Sequence, residues 1–188
     1  MKKQKIDLRI IKTKKNLYES LLTLMEERPF EKIKVSDICS QALINRSTFY
    51  AHFEDKYTLL ASLINDLKSS LEEELTQNKH YTNSKEYYME IIKLLLNHMD
   101  KKKNIYIPII INNKNSIAMD MIYDTLNADI IKRIEQNKTK YEKNIPSDFI
   151  AKFYLGAIFN VGMEWLKNNQ KYSKEEIVEY LNDLIPNA

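Results

Sequence analysis

Apolar residues recur at intervals of three and four along most of the chain, the spacing of one helical face. From Ile10, the positions Leu17, Leu21, Leu24 and Met25 form a stripe. It ends where Pro29 follows Arg28, because the residue before a proline disfavours the helical conformation. Phe30 and Ile33 lead into a short amphipathic segment, Ser36 to Ala42, then a break, Leu43 to Asn45, and a second short segment, Arg46 to Phe53. That is the size and order of a helix-turn-helix. Leu60, Leu63, Ile64, Leu67, Leu71 and Leu75 then step along one long helix that ends near Asn78, with a polar loop from Asn78 to Ser84. Tyr88, Ile91, Ile92, Leu95, Leu96 and Met99 give another helix, stopped by the basic run Lys101 to Lys103. Ile105 to Ile111 reads IYIPIII: its isoleucines favour strand, but no partner strand is evident and Pro108 would break a ladder, so a short helix is expected. After a loop, Asn112 to Asn115, a helix runs from Ile117 to about Lys138 with Met121, Ile122, Leu126, Ile130 and Ile134 on its apolar face. Residues 148–168 and Lys174 to Leu184 supply the last two helices. The expected fold class is all-α: an N-terminal three-helix helix-turn-helix domain over residues 1–56 and a C-terminal helical domain over residues 57–188.

Within the motif, Phe49 and Phe53 lie four residues apart and share a face that Val35, Ile38 and Ile44 can cover. The other face carries Arg46, Ser47, Thr48, Tyr50 and His52, a set of hydrogen-bond donors suited to phosphates and base edges. Asn45 stands where an N-cap is wanted, its side-chain oxygen available to the free amides of the second helix. Lys56 follows Glu54 and Asp55 at the start of the long helix. A cation at that positive end is misplaced unless an anion lies there, and a DNA phosphate would supply one.

A net charge of +3 does not by itself argue for nucleic acid. Its distribution says more: residues 1–56 hold 12 Lys and Arg against 8 Asp and Glu, whereas residues 57–188 hold 17 against 18. Seven of the basic side chains fall within residues 2–15, as a solvated tail or as extra phosphate contacts. The single cysteine, Cys39, rules out an intramolecular disulfide and suits a reducing compartment; it reads as a small buried residue rather than a redox sensor. No apolar run approaches a membrane span and the start lacks the apolar core of a signal peptide, so a cytoplasmic location without membrane contact is expected. His52, His80 and His98 are scattered, no residue set has metal-ligand spacing, and there is no glycine-rich phosphate loop or nucleophile elbow. Catalysis, metal and cofactor are therefore not expected.

The run RSTFYAHFEDKYTLL, preceded by VSDICSQA, resembles the N-terminal motif of TetR-type transcriptional regulators, with Thr48, Phe49, Tyr50, His52, Phe53 and Lys56 all coinciding over roughly the first third of the chain. The resemblance implies an all-helical homodimer whose first three helices bind a double-stranded DNA operator, and whose larger second domain dimerises and often takes a small molecule. Carried over, Arg46, Ser47, Thr48, Ala51 and His52 match positions facing bases or nearby phosphates, and Tyr50 and Lys56 match phosphate-binding positions. Two positions depart from the family pattern. Leu43 stands where a glycine usually opens the turn, and Lys34 where a threonine or serine usually caps the first motif helix; Lys34 has no acceptor but can itself reach a phosphate. The second domain is similar, more weakly, to the branch containing dihydroxyacetone-kinase operon regulators, some of which activate with a protein partner. Repression released by an effector is the default expectation. Activation with a protein partner, or a helical interaction protein without DNA binding, are the alternatives.

The helix over residues 148–168 is apolar over more than one side, and Gly156 and Gly162, the protein's two glycines, both lie inside it. Each costs roughly 1 kcal/mol against alanine, which a close helix crossing would justify. Two readings follow: a four-helix dimer interface with the last helix, involving Ala157, Ile158, Val161, Trp165, Ile177, Leu181 and Leu184, or simply the core of one protomer. Tyr88, Tyr106, Met121, Phe153, Tyr154 and Trp165 are in the same way either the lining of a cavity for a small apolar or aromatic effector, or core.

Overall fold

The computed structural model describes residues 8–76, 84–137, 145–167 and 171–184, and among them the chain is helical, without strands. Helix α1 spans Leu8–Glu27 and a 3-10 turn follows at Phe30–Lys32. The motif helices are α2, Val35–Ala42, and α3, Arg46–Tyr50. The rest comprises α4, Lys56–Thr76; α5, Ser84–Lys101; α6, Lys103–Asn113; α7, Ile117–Asn137; α8, Ser147–Lys167; and α9, Lys174–Leu184. The isoleucine run is thus helical, with Pro108 accommodated inside α6. Helix α3 stops at Tyr50, shorter than the expected segment to Phe53, and beyond it the amides of His52 and Phe53 share the Phe49 carbonyl at 2.9 Å, closing one last turn.

The apolar stripe of α1 is buried as its spacing requires, and Leu17, Leu21 and Met25 join Phe30, Ile33, Ile38, Phe49, Phe53, Leu59, Leu60 and Ile64 in one core. That core continues past residue 56: Ile109 of α6 and Ala118 of α7 are buried in it too. The corner between α6 and α7 is therefore docked onto the N-terminal helices directly, and not only tethered through α4. A second core gathers Met89, Ile92 and Leu96 of α5, Ile110 of α6, Trp165 and Leu166 of α8, and Ile177 and Leu181 of α9. A third joins α7 and α8 through Ile134, Ile150 and Ala151.

The two glycines of α8 do not mark tight crossings within the protomer. A Cβ at Gly162 would meet only Leu96 Cδ2 at 4.0 Å, an ordinary contact, and a Cβ at Gly156 would meet nothing within 4 Å.

Candidate nucleic-acid interface

The reading surface is built from the inside out. Phe49 is fully buried and Phe53 nearly so, their rings 6.0 Å apart, so α3 is held by its inner side in one rotation about its axis. Val35 and Ile44 pack against the same core from α2 and the turn, and Ile38 lies within it. This leaves Arg46, Ser47, Tyr50 and Ala51 exposed and Thr48 and His52 half-buried on the outer side. The Tyr50 ring stands edge-on to Phe49 at 5.5 Å while the side chain stays 57% exposed, which steadies its hydroxyl outward. Of the residues that the sequence selects for the outer face, Arg46, Ser47, Thr48 and Tyr50 lie on α3 and His52 in the turn after it.

The turn before α3 carries the strain its sequence implied. Leu43 adopts φ 56°, ψ 42°, the left-handed conformation, and is the one non-glycine residue with positive φ among those described. There it ends α2, its amide bonding the Ser40 carbonyl at 3.3 Å while the next amide, that of Ile44, reaches the Cys39 carbonyl at 3.0 Å. A Cβ in this region costs roughly 1–2 kcal/mol, and at 92% exposure the side chain regains none of it by packing.

Helix α2 starts without an accepting cap residue, and a carboxylate does the work instead. Asp37 accepts the Lys34 amide at 3.1 Å and the Arg28 guanidinium at 3.0 Å. This is the acidic half of a capping box, which compensates for lysine at the first position. The backbone bond from Lys34, aided by Arg28, holds the Asp37 carboxyl below the usual carboxylate range. The Lys34 ammonium stays on an exposed side chain beside α2, free of any capping duty. Asp37, three residues beyond Lys34, was a legible signal that the sequence reading passed over. Asn45 holds the N-cap position of α3, but only its carbonyl is used, by the Phe49 amide at 3.2 Å. The side-chain cap expected of Asn45 is not formed.

Lys56 requires the larger correction. Its ammonium donates to the carbonyls of Phe30 at 2.8 Å, Ile33 at 2.8 Å and Glu31 at 3.1 Å, and lies 4.6 Å from the Phe30 ring centroid. All three protons are engaged, so the negative partner that sequence reasoning assigned to DNA is supplied by the protein's own backbone. Burial pulls the Lys56 pKa down and Glu31 opposes it. Helix α4 is started by Asp55 instead, whose Oδ1 accepts the Thr58 amide at 2.7 Å while Thr58 Oγ1 accepts the Asp55 amide at 3.1 Å, a reciprocal cap. Lys56 accordingly ties α4 to the turn between α1 and α2 and sets where the motif sits.

A second joint ties α1 to α4. The Tyr18 hydroxyl donates to Asp66 Oδ2 at 2.8 Å and lies 2.7 Å from Ser62 Oγ; burial pushes its pKa up to about 12, so it stays a donor at neutral pH.

The described candidate effector residues fall in different places. Tyr106 and Trp165 belong to the second core, Met121 packs on the first, Tyr154 packs on the third, and Phe153 is 63% exposed. The side chain of Tyr88 lies outside the described residues. Tyr106 and Trp165, Met121 and Tyr154 thus fall in three different packing clusters. Tyr106 instead bonds His98 Nε2 at 2.7 Å, and both side chains are half-buried. Burial, with Lys102 and Lys101 nearby, lowers the His98 pKa and keeps the ring neutral at pH 7. An open groove of about 550 Å³ lies between α5 and α9, lined by Met89, Lys93, Asn97, Lys174, Val178 and Glu179 among others.

The dimer set also divides. Trp165, Ile177 and Leu181 are each at most 6% exposed within the protomer, and Ile158 and Val161 pack against the same core. The Trp165 indole donates to the Tyr172 carbonyl at 2.9 Å. Five of the seven expected interface residues thus belong to the protomer's own core, and Ala157 and Leu184 remain exposed. The outward apolar side of α8 is Phe149, Phe153 and Ala157, at successive four-residue steps, with Tyr180 and Leu184 on α9.

Known proteins share this arrangement. The family described as "Bacterial regulatory proteins, tetR family" matches residues 17–63, and "Transcriptional regulator C-terminal region" matches residues 86–187. The Transposon Tn10 TetC protein of Escherichia coli is 24% identical over 153 residues, covering 75% of this chain and 78% of that protein. The HTH-type dhaKLM operon transcriptional activator DhaS of Lactococcus lactis is 25% identical over 153 residues, 81% of this chain and 78% of that one. The crystal structure of a TetR transcriptional regulator from Streptococcus agalactiae superimposes with a TM-score of 0.66 at 27% identity, over 96% of this chain and 97% of that chain. With both halves matched, this chain belongs to the TetR family of bacterial transcriptional regulators, proteins that bind DNA and are not enzymes.

Proposed function

We propose that the protein is a homodimeric repressor that reads a two-fold operator with the outer side of α3. The observation that carries the reading is the pairing of a buried Phe49 on α3 and Phe53 just beyond it with an exposed Arg46, Ser47 and Tyr50 on the helix and Ala51 at its end. Arg46, Thr48 and His52 supply base-edge donors and Ala51 a methyl contact, while Tyr50, Ser47 and the exposed Lys34 take phosphates. Lys56 leaves the phosphate set for the reason given above and positions the motif from behind. A five-residue helix spans few base pairs, so useful specificity needs two such helices on successive turns of one duplex face. The exposed Phe149, Phe153, Ala157, Tyr180 and Leu184 of α8 and α9 are the surface we assign to a second copy.

Release by a small apolar effector rests on the family rather than on the six aromatic and methionine positions. Activation is favoured by one observation, the likeness to a relative that is itself named an activator. Selection of bound sequences from a random DNA pool, followed by transcription in vitro from a promoter carrying the selected site, tests both readings. A palindromic site at which the protein lowers transcription supports repression, and raised transcription supports activation. Failure to form any salt-sensitive, sequence-specific complex would leave a helical interaction protein that uses the motif only as a scaffold.

A further inference from the structure

Helix α6 sits between the two larger cores. Its neighbouring residues Ile109 and Ile110 are both buried, Ile109 in the core that holds the motif and Ile110 in the core of α5, α8 and α9. The surface of α8 and α9 assigned to a second copy is therefore joined to the reading helix by way of α6. Apolar burial is non-directional: it decides that α6 lies along α1, but it defines the register there less sharply than a hydrogen bond to a particular backbone atom does.

Asn113, the last residue of α6, supplies that definition. It is 1% exposed; its Oδ1 accepts the Phe30 amide at 2.7 Å, and its Nδ2 donates to the carbonyls of Met25 at 3.1 Å and of Ile109, one turn back in its own helix, at 2.8 Å. Both amide hydrogens are thus in use. A slip of α6 along α1 would strand the side-chain amide and the Phe30 N–H where water does not reach, which is costly. From the other side Lys56 of α4 holds the Phe30 carbonyl at 2.8 Å, and the Phe30 ring lies in the same core as Phe49, the inner anchor of α3. Two further bonds cross this joint, from Asn112 to the Glu26 carbonyl and from the Ile117 amide to Glu31 Oε1, each at 2.7 Å, but they lie nearer solvent, where water can replace them.

We propose that Asn113 is a positioning residue that sets the separation of the two reading helices in the dimer, and with it the half-site spacing that the protein accepts. The proposal rests on the reading of a two-fold operator given above. With half-sites one helical turn apart, a base pair added or removed between them moves one by roughly 3.4 Å and turns it by roughly a tenth of a turn. A helix slipped by two residues moves by roughly 3 Å. Holding α6 to a single register on α1 is therefore precision of the size needed to reject a wrong spacing.

Asn113→Leu keeps the approximate size of the side chain and removes all three bonds. The full chain and this variant are titrated with the selected operator and with versions carrying one base pair more or fewer between the half-sites, each protein at the same interval below its own Tm so that lost stability alone does not move the ratio. The unmutated protein should bind the altered spacings about tenfold or more weakly than the selected one. In the variant that difference should shrink to about threefold or less, with base preference inside each half-site unchanged. Asn113→Ser, which keeps a polar group, runs the same panel should the leucine variant not fold. A variant that weakens every spacing equally and keeps the full ratio would overturn the proposal and leave Asn113 a stabilising group only. An unmutated protein that binds single half-sites without regard to spacing would overturn it as well, and the two-fold operator reading with it.

Discussion

Replacing Lys56 by methionine separates a structural clamp from a phosphate ligand, because the two roles move different observables. The substitution keeps most of the aliphatic stem and removes three charge-assisted hydrogen bonds and the contact with the Phe30 ring. Hydrogen bonds to charged groups are worth roughly 1.5–3 kcal/mol each. Three facts reduce the sum: the Phe30 carbonyl still receives the Ile33 amide, the Glu31 bond is exposed and water can replace it, and removing a partly buried cation recovers its desolvation. About 2–3 kcal/mol should remain, chiefly from the stranded Ile33 carbonyl and the lost cation–π contact. For a chain of this length that is a fall in Tm of roughly 5–10 °C, read by thermal unfolding monitored by circular dichroism. The slope of log affinity against log salt on operator DNA should not change, since no phosphate contact is lost. An unaltered Tm together with a slope flattened by about one unit would refute the clamp and restore the phosphate role.

Arg46→Ala should cost roughly 1–3 kcal/mol of specific binding and relax preference at one base position, in titrations with selected and scrambled DNA; unchanged preference would remove Arg46 from base reading. Leu43→Gly should stabilise by about 0.5–1 kcal/mol, the relief of left-handed strain exceeding the extra entropy of glycine in the unfolded chain, and a lowered Tm would contradict that balance. The Asp37 carboxyl has its pKa depressed in the folded state, so its stabilisation is present above the ordinary carboxylate pKa and lost as pH falls through the folded value. Asp37→Asn should therefore be less stable than the parent near pH 7, with the gap closing below about pH 4, and a constant gap would discount the cap. Phe153→Glu, at a side chain 63% exposed, should leave folding intact and give monomers by light scattering; an intact dimer would reject the α8 surface.

Local patterns proved legible wherever a residue's partner is close in sequence. The spacing of Phe49 and Phe53 sets the inner side of α3, and therefore which side chains face out, because i and i+4 share a helical face whatever the rest of the chain does. The strain at Leu43 was equally readable, since the turn geometry is local and the missing glycine is visible. The short α3 was not, because its last turn, where two amides share one carbonyl, leaves no mark in the apolar periodicity.

What the amino-acid order by itself determined was the helical architecture, the motif and its outward donors. What only the tertiary structure decided was what lies against each apolar or charged position. The broad apolar surface of α8 looked uniform in sequence, yet one part is sealed by α5 and α9 of the same protomer and another is left bare. Lys56 looked like an unmatched cation at a helix start, yet carbonyls 23–26 residues earlier in the chain satisfy it. Asn113 gave no sign in sequence of the bolt it forms over 83 residues to Phe30. Periodicity reports that a face must be covered and charge that a group must be matched. The partner is chosen by contacts between segments far apart in the chain, and those exist only once it has folded.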